Sequence, residues 1–223
     1  VHIENQNKKN KTKFINTGYL KLDHVNQKIA KNELEENSIL LAPTLSSMLP
    51  EYNLESIIET VIKNILKSEH LKLIYRPHPG DIKNKNQKRN IEKILDKFKK
   101  HNNFVFDQNI SYIDSYKKSK FLITDFSGTA YTYAFSTLKP VIFISKNEKK
   151  LIESELNDLY YFRDRLDVGK INQDLEKISQ DIKEITNLKE HFSEKIKSLR
   201  NKRIKYFNCA IEQNLYNIKN ILN

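Results

Sequence analysis

Short apolar segments alternate with longer segments of helical periodicity between residues 38 and 144, and this alternation limits the fold more than any other feature of the chain. From Leu54 to Leu66, for example, apolar residues recur at the i, i+3, i+4, i+7 spacing of an amphipathic helix. Strands that alternate with helices predict an α/β fold with a Rossmann-like, doubly wound and mostly parallel sheet. The predicted strands are residues 38–44, 71–76, 104–106, 121–124 and 141–144.

Beyond residue 174 the pattern becomes helical only. We therefore expect three parts: an irregular segment or linker at residues 1–17, a Rossmann-like domain at 18–173, and carboxyl-terminal helices at 174–223. These last helices are expected to pack on the sheet or to reach toward a partner domain. The sequence starts at Val1 rather than at a methionine, which favours a piece excised from a longer polypeptide.

Composition narrows the classes of partner. No apolar run approaches the about 18 residues of a membrane span, and the polar start of the chain is unlike a secretory signal, so we expect a soluble, cytoplasmic protein. The single cysteine, Cys209, excludes an internal disulfide and is expected on a buried helix face. The net charge of +11 predicts solubilising charge, or contact with an anionic substrate or the inner face of a membrane. Without a zinc finger or an RNA-binding motif, nucleic acid is not an expected partner.

The second predicted strand runs into the turn Arg76-Pro77-His78-Pro79. Side chains alternate along an extended chain and both prolines fix φ, so Arg76 and His78 are expected to leave the strand on the same side. A permanent cation and a titratable imidazole would then face the crevice at the carboxyl ends of the strands, where an anionic ligand can bind. A surface turn with a capping histidine is the alternative interpretation.

A second polar cluster follows the strand at residues 121–124, where Asp125, Ser127, Gly128 and Thr129 open the next helix. The start of a helix exposes unpaired N–H groups and the positive end of the helix dipole, and a glycine there lets a ligand approach the backbone. These residues suit a phosphate or diphosphate, although Asp125 or Ser127 could simply cap the helix. Since both clusters follow parallel strands, they are predicted to share one edge of the sheet and to form one phosphate site.

Four motifs resemble, in order, those of the CDP-glycerol glycerophosphotransferase family, which includes teichoic-acid primases and polymerases. They lie at residues 18–23, 39–44, 76–79 and 123–129, and the resemblance covers roughly residues 17–165. The family usually carries Pro and Arg where Leu20 and Lys21 stand, and Tyr-Ser-Ser where residues 126–128 stand, which leaves the identity of the donor open. By this resemblance the aromatic residues 160–163 lie near the nucleotide, whereas the residues alone favour a core cluster.

The family has a two-domain glycosyltransferase-B (GT-B) architecture, and this chain resembles its carboxyl-terminal, donor-binding half. The resemblance therefore implies a missing amino-terminal acceptor domain. It places His78 at the donor phosphates, where Arg76 can add a permanent positive charge as a second catalytic candidate, and it places Ser127, Gly128 and Thr129 at the diphosphate. The remaining candidates are Asp125, which joins the diphosphate residues by shaping their turn, and Thr44, Tyr19 and Lys21, which shape the nucleotide site.

The reaction implied by the resemblance is attack of an acceptor hydroxyl on the β-phosphorus of CDP-glycerol or a related CDP-polyol. Polyol phosphate would pass to a cell-surface polymer of teichoic-acid or capsule type, and CMP would be released. No carboxylate pair resembles a Mg²⁺ site, so neither a metal nor another cofactor is expected. No other histidine lies in a context that identifies the general base.

Two other interpretations stay open. One is a GT-B glycosyltransferase that uses a nucleotide sugar in capsule or lipopolysaccharide synthesis, with Glu148 or Glu153 holding a ribose or sugar diol. The other is a non-catalytic anion-binding domain. A buried His78 that faces away from Ser127 would favour this second alternative.

Overall fold

The computed structural model of the protein describes residues 15–30, 37–68 and 71–222. Within these residues, six strands form one wholly parallel sheet with the order β3-β2-β1-β4-β5-β6, which confirms the predicted doubly wound fold. The order reverses direction between β1 and β4, so a topological switch point lies at their carboxyl ends. The strands are β1 Ser38–Leu41, β2 Lys72–Tyr75, β3 Phe104–Phe106, β4 Ser119–Thr124, β5 Val141–Ile144 and β6 Gly169–Asn172.

Helices cover both faces of the sheet. In chain order they are α1 Leu20–Ala30, α2 Ile58–Ser68, α3 Pro79–Lys83, α4 Lys85–Phe98, α5 Ile113–Lys118, α6 Thr129–Thr137, α7 Glu148–Ile152, α8 Tyr160–Arg163, α9 Arg165–Val168, α10 Ile178–Asn187, α11 Lys189–Arg203 and α12 Ala210–Leu222. Contacts link α6 to α1, α5 and α11 in one layer, and they link α2 to α10 in the other.

The central strands supply much of the core because helices cover them from both sides. β1 and β5 are buried along their whole length, and Ile39, Leu40 and Leu41 are inaccessible to solvent. A strand between two helical layers needs apolar side chains at every position, which is why these segments read as continuous apolar runs. Each such side chain contributes about 1.5–3 kcal/mol when it is buried.

β6 is the strand that the sequence pattern did not predict. Its four residues include one large apolar side chain, Ile171, so the segment has no apolar run. It pairs with β5 at the edge of the sheet, with Gly169 opposite Val141. A Cβ at position 169 would lie 1.7 Å from the carbonyl oxygen of Val141, so this pairing requires glycine.

The carboxyl-terminal region is helical, but its last helix differs from the two before it. α10 and α11 bury apolar residues such as Ile182 and Ile196, whereas Ala210 is the buried residue of α12. Cys209 is exposed and precedes α12, so its predicted burial on a helix is wrong; its carbonyl accepts the amide of Gln213.

Most of the predicted linker, residues 1–14, lies outside the described residues, and the division at 173/174 stays a prediction. Among the helices that the structure describes, none combines the length and the apolar character that crossing a membrane requires.

Candidate functional site

The candidate site lies at the carboxyl edge of the sheet, where the chain leaves β1, β2 and β4. Leu41 of β1 pairs with Tyr75 of β2 and with Ile123 of β4, so the three strands end side by side. Neighbouring strands are about 4.8 Å apart, which separates the ends of β2 and β4 by about 10 Å with β1 between them. The turns that follow β2 and β4 therefore flank the loop that follows β1.

His78 caps the short helix α3. Its Nδ1 accepts a hydrogen bond from the amide of Gly80 at 3.1 Å. When Nδ1 accepts, a neutral imidazole carries its proton on Nε2, so Nε2 is the nitrogen that can donate to a ligand. The side chain is half-buried, and no described residue hydrogen-bonds to Nε2. The capping role therefore uses one ring nitrogen and leaves the other available.

Arg76 points away from His78 toward β3. Its Nη1 lies 2.6 Å from Oδ2 of Asp107, and its Nη2 donates to the carbonyl of Asn109 at 2.7 Å. Burial pushes the pKa of Asp107 upward, but hydrogen bonds from Ser115, the Asn109 amide and Arg76 outweigh burial and hold that pKa below its usual value. The structure therefore does not bring Arg76 and His78 to one crevice, because the guanidinium is occupied in bracing the loop after β3.

Asp125 is buried and serves the backbone. One carboxylate oxygen accepts the amide of Thr44 at 3.0 Å, and the other accepts the amide of Leu54 at 3.1 Å. Burial raises the pKa of Asp125 to about 6, although these amides act in the opposite direction. The carboxylate thus ties the turn after β4 to the loop after β1, and a direct contact between Asp125 and a diphosphate stays a prediction.

Asp81 makes the equivalent connection from the turn after β2. Its carboxylate accepts the amide of Ser46 at 3.1 Å and the hydroxyl of the same residue at 2.6 Å. Asp81 lies on α3, the helix that His78 caps, so this connection also positions His78. The loop after β1 is held from one side by Asp81 and from the other by Asp125, which fixes the spacing of the two turns.

The turn after β4 offers backbone groups to a ligand. α6 begins at Thr129, and Gly128 precedes it with a φ of −56° and no side-chain cap. The Ser127 hydroxyl lies 3.4 Å from the amide of Thr129, while the amide of Ala130 already bonds to the carbonyl of Ser127. A Cβ added to Gly128 would meet nothing within 4 Å, so neither the backbone nor packing requires glycine here. Its absent side chain leaves open space beside the start of α6.

Tyr19 and Lys21 reach the same edge of the sheet from the beginning of α1. The Lys21 ammonium lies 5.7 Å from the ring centroid of Tyr112. Burial raises the pKa of Tyr112, the nearby Tyr19 raises it further, and Arg76 lowers it. Tyr19 and Arg76 therefore lie near the Tyr112 ring, as Lys21 does. Sequence reasoning missed Tyr112 and Asp107. The available signal was a polar segment directly after β3, at the edge where β2 and β4 also end.

An aromatic cluster supports the turn after β4. The Tyr161 hydroxyl donates to the carbonyl of Phe126, and the Tyr131 hydroxyl donates to the carbonyl of Tyr161 at 2.5 Å. The rings of Phe126 and Phe162 lie 6.4 Å apart in the same cluster. Within residues 160–163, Phe162 is buried and Tyr161 packs partly buried against the cluster and fixes the backbone next to Ser127, whereas Tyr160 and Arg163 are exposed, so the expected core cluster is confirmed only for the middle two residues.

Glu148 cannot hold a diol as the nucleotide-sugar alternative expected. Its two carboxylate oxygens accept Nη1 and Nη2 of Arg165 at 2.9 and 2.7 Å, and both side chains are buried. Glu153 is exposed at the end of α7. Over residues 15–30, 37–68 and 71–222, no group of three or more His, Cys, Asp or Glu side chains is arranged to hold a metal ion.

In a comparison with protein families, residues 5–191 match the LIC12162 family of transferases. A comparison with curated proteins finds no match.

Solved structures with a similar fold include the H444N variant of the wall teichoic acid polymerase TagF, with a TM-score of 0.56 and 17% identity over 91% of this chain and 50% of TagF. UDP-GlcNAc 2-epimerase of Methanocaldococcus jannaschii, in complex with UDP-GlcNAc and UDP, has a TM-score of 0.56 and 15% identity over 97% of this chain and 58% of the epimerase. A putative UDP-N-acetylglucosamine 2-epimerase of Listeria monocytogenes has a TM-score of 0.55 and 17% identity over 93% of this chain and 53% of that protein.

This chain therefore spans about half the length of TagF. With sequence identities of 17–18%, the TagF structures establish the fold of this chain. The expected likeness to teichoic-acid polymerases is therefore confirmed as a likeness of fold.

Proposed function

Because the chain belongs to the LIC12162 family of transferases, we propose that it binds the nucleotide-activated donor of a transfer reaction. The proposed enzyme is a CDP-glycerol-type glycerophosphotransferase, and this chain is its donor-binding part. It would move polyol phosphate from CDP-glycerol or a related donor to a cell-surface polymer of teichoic-acid or capsule type and release CMP.

The observation that carries the proposal is the arrangement of an imidazole and a helix start on either side of one fixed loop. His78 offers a free Nε2 after β2, and Gly128 leaves the start of α6 open after β4. Asp81 and Asp125 hold the loop between them. A diphosphate laid across this loop can meet the imidazole with one phosphate and the helix start with the other.

The proposed chemistry follows from where charge develops. The acceptor oxygen bonds to the β-phosphorus of the donor while the bond from that phosphorus to the bridging oxygen of CMP breaks. Negative charge grows on the CMP phosphate, where the amides and the dipole of α6 stabilise it. His78 donates from Nε2 to the leaving oxygen. The base that takes the acceptor's proton is not assigned to this chain, and the proposal assigns no metal or other cofactor.

The nucleoside end of the donor is proposed to lie beside Tyr19, Lys21 and Tyr112. Aromatic rings bind a nucleobase by stacking, and the Lys21 ammonium adds a positive charge next to them. Arg76 would support this region through Asp107 without touching the donor.

A nucleotide-sugar donor is the second candidate. The epimerase solved with UDP-GlcNAc and UDP matches this chain with the same TM-score as the TagF variant, 0.56, while another TagF structure was obtained after a soak with CDPG. Phosphates and a pyrimidine ring are common to both donors, so the contacts above favour neither base. A non-catalytic anion-binding domain is less favoured, because His78 is half-buried rather than buried.

An amino-terminal acceptor domain belongs to the proposal, together with a cytoplasmic location and peripheral contact with an anionic membrane. The length of TagF, about twice the part that this chain covers, supports a further domain. The net charge of +11 supports attraction to anionic lipid or to a phosphate-rich acceptor.

Isothermal titration calorimetry with CMP, CDP-glycerol, UDP and UDP-GlcNAc tests the proposal. We expect the cytidine ligands to bind at least about tenfold more tightly than the uridine ligands. A preference for uridine would replace CDP-glycerol with a nucleotide sugar, and no binding by any of the four would refute the nucleotide site. Glu153→Ala, which removes an exposed carboxylate beyond α7, is the control and should leave all four affinities unchanged.

A further inference from the structure

A cavity of about 480 Å³ lies between α2 and α4, beside the loop after β1. Its volume falls in the usual range of about 300–1,000 Å³ for small-molecule sites. Tyr75 and the apolar side chains of Ile58 and Ile91 are buried and form its floor, while Glu55 and Asn90 are exposed at its rim. We propose that this cavity binds a neutral, hydroxyl-rich ring of the saccharide type.

Tyr75 is the residue that points to a ligand. Its side chain is 3% exposed and lines the cavity, yet its hydroxyl has no hydrogen-bond partner among the described residues. A hydroxyl group of a bound ligand would supply the missing partner, since a phenol both donates and accepts.

The charges around the cavity exclude an anion as its ligand. Carboxylates of Glu55, Glu59 and Asp81 line it, and they would repel a phosphate. Lys93 also lines the cavity and Lys97 forms an ion pair with Glu59, so the carboxylates do not create a strongly cation-selective site either. With Glu59 paired to Lys97 and Asp81 already hydrogen-bonded to Ser46, Glu55 is left beside the ammonium of Lys93, which favours a neutral ligand over an anion.

The arrangement of polar and apolar groups favours a saccharide among neutral ligands. A sugar ring has apolar C–H faces and hydroxyl groups around its circumference. The floor formed by Ile58 and Ile91 suits a C–H face, while the carboxylate of Glu55 can accept from hydroxyls; the Asn90 amide nitrogen already donates to Glu55 and Gln87, so its carbonyl oxygen is the atom that can accept. Tyr75 would bond to the hydroxyl that points inward.

The cavity adjoins the proposed donor site without sharing its anion-binding groups. Thr44 and Ser46 line the cavity, and these are the residues that Asp125 and Asp81 hold. His78 and Gly128 do not line it. The proposal therefore stands independently of the function proposed for the phosphate edge.

The test is a titration of the intact chain with methyl α-D-glucopyranoside, methyl α-D-galactopyranoside and methyl N-acetyl-β-D-glucosaminide, followed by saturation-transfer difference NMR. At least one glycoside should bind with a Kd in the millimolar range, and Tyr75→Phe should raise that Kd about fivefold by removing one hydrogen bond. Tyr131→Phe removes a tyrosine hydroxyl outside the cavity and is the matched control, with no change expected.

Two further variants separate binding in this cavity from binding at the proposed donor site. Ile91→Trp, which fills the floor, should abolish glycoside binding, while His78→Ala should leave it unchanged. The proposal is overturned if no glycoside binds, if Tyr75→Phe leaves the Kd unchanged, or if CMP competes with the glycoside. Loss of nucleotide binding alone would refute the proposed donor site and not this one.

Discussion

The turns after β2 and β4 present different polar groups at the same edge of the sheet. After β2 the group is a side chain, the imidazole of His78, whose orientation is set by its own helix cap. After β4 the group is the start of α6 with the positive end of its dipole, beside a glycine whose absent side chain leaves open space. Each turn also contains one buried aspartate, Asp81 or Asp125, that ties it to the loop after β1.

The most conspicuous charges at this edge are therefore not the groups that face the candidate site. Arg76 pairs with Asp107, and Asp125 accepts two backbone amides. A charge at a buried position must be paired or hydrogen-bonded, and such pairing removes it from contact with a substrate. The groups that remain available are a ring nitrogen and a helix start.

The largest expected effect is on stability, when the aspartate that holds the β4 turn is removed. Asp125→Ala leaves the buried amides of Thr44 and Leu54 without partners, and the free energy of unfolding should fall by about 2–5 kcal/mol. Urea denaturation measures this change. The same measurement on Asp81→Ala tests whether the two turns depend on their aspartates equally, and a change below about 0.5 kcal/mol for either one would contradict its assigned role.

The pH dependence of stability should separate Asp125 from the other carboxylates. Its pKa in the folded protein is raised from 3.8 to about 6 by burial, so the folded state binds the proton more tightly than the unfolded state. The stability that Asp125 gains from this proton is therefore present below pH 4 and is lost as pH rises through about 6. The free energy of unfolding falls over this range by at most about 3 kcal/mol.

Asp107 affects stability in the opposite direction, because its pKa is lowered in the folded protein. Its contribution to the free energy of unfolding is lost as pH falls below 3.8, the ordinary pKa of an aspartate. Urea denaturation between pH 3.5 and 7 should therefore give a wild-type curve that falls more steeply with rising pH than the curve of Asp125→Asn. Parallel curves for the two proteins would contradict the raised pKa.

Removing the imidazole of His78 at the β2 turn should weaken binding of CDP-glycerol with little effect on folding. His78→Ala should lower affinity for CDP-glycerol about tenfold or more, because a hydrogen bond to a charged group contributes about 1.5–3 kcal/mol. His101→Ala is the matched control: His101 is exposed, and its Nδ1 accepts the amide two residues later just as that of His78 does. Equal calorimetric affinities for the two variants would remove His78 from the site.

Filling the open space at the start of α6 with a side chain should have a smaller effect on affinity. Gly128→Ala places a methyl group in open space, so stability should stay the same or rise by about 0.4–1 kcal/mol while affinity for CDP-glycerol falls about fivefold. Gly80→Ala should behave differently, since its Cβ would lie 2.7 Å from Leu45 Cδ1 and 3.1 Å from His78 Nδ1. Calorimetry and thermal denaturation of both variants distinguish a covered ligand site from a disturbed turn.

The smallest effect on binding is expected for Arg76. Arg76→Lys keeps the positive charge but loses the planar guanidinium that contacts both Asp107 and Asn109, so stability should fall by about 1 kcal/mol and affinity for CDP-glycerol should change less than about twofold. A tenfold loss of affinity without a loss of stability would place Arg76 against the donor after all.

The sequence by itself determined the parallel α/β sheet, the positions of β1 to β5 and the two turns at its edge. Those features depend on local signals: apolar runs, helical periodicity, and the prolines and glycine where strands end. β6 was not predicted because its segment holds one large apolar side chain, whereas β3, the other edge strand, is apolar throughout. Its glycine at 169 is explained only by the neighbouring backbone.

The tertiary structure alone decided which polar residues face the site. Arg76 meets a carboxylate 31 positions away, Asp125 meets an amide 81 positions away, and Glu148 meets Arg165 at a separation of 17. Alternation along a strand specifies the side on which a side chain leaves the backbone, but the partner that captures a charge is set by the order of strands in the sheet. The sequence therefore predicts the two turns, but it does not predict which of their residues hold the loop and which remain available at the candidate site.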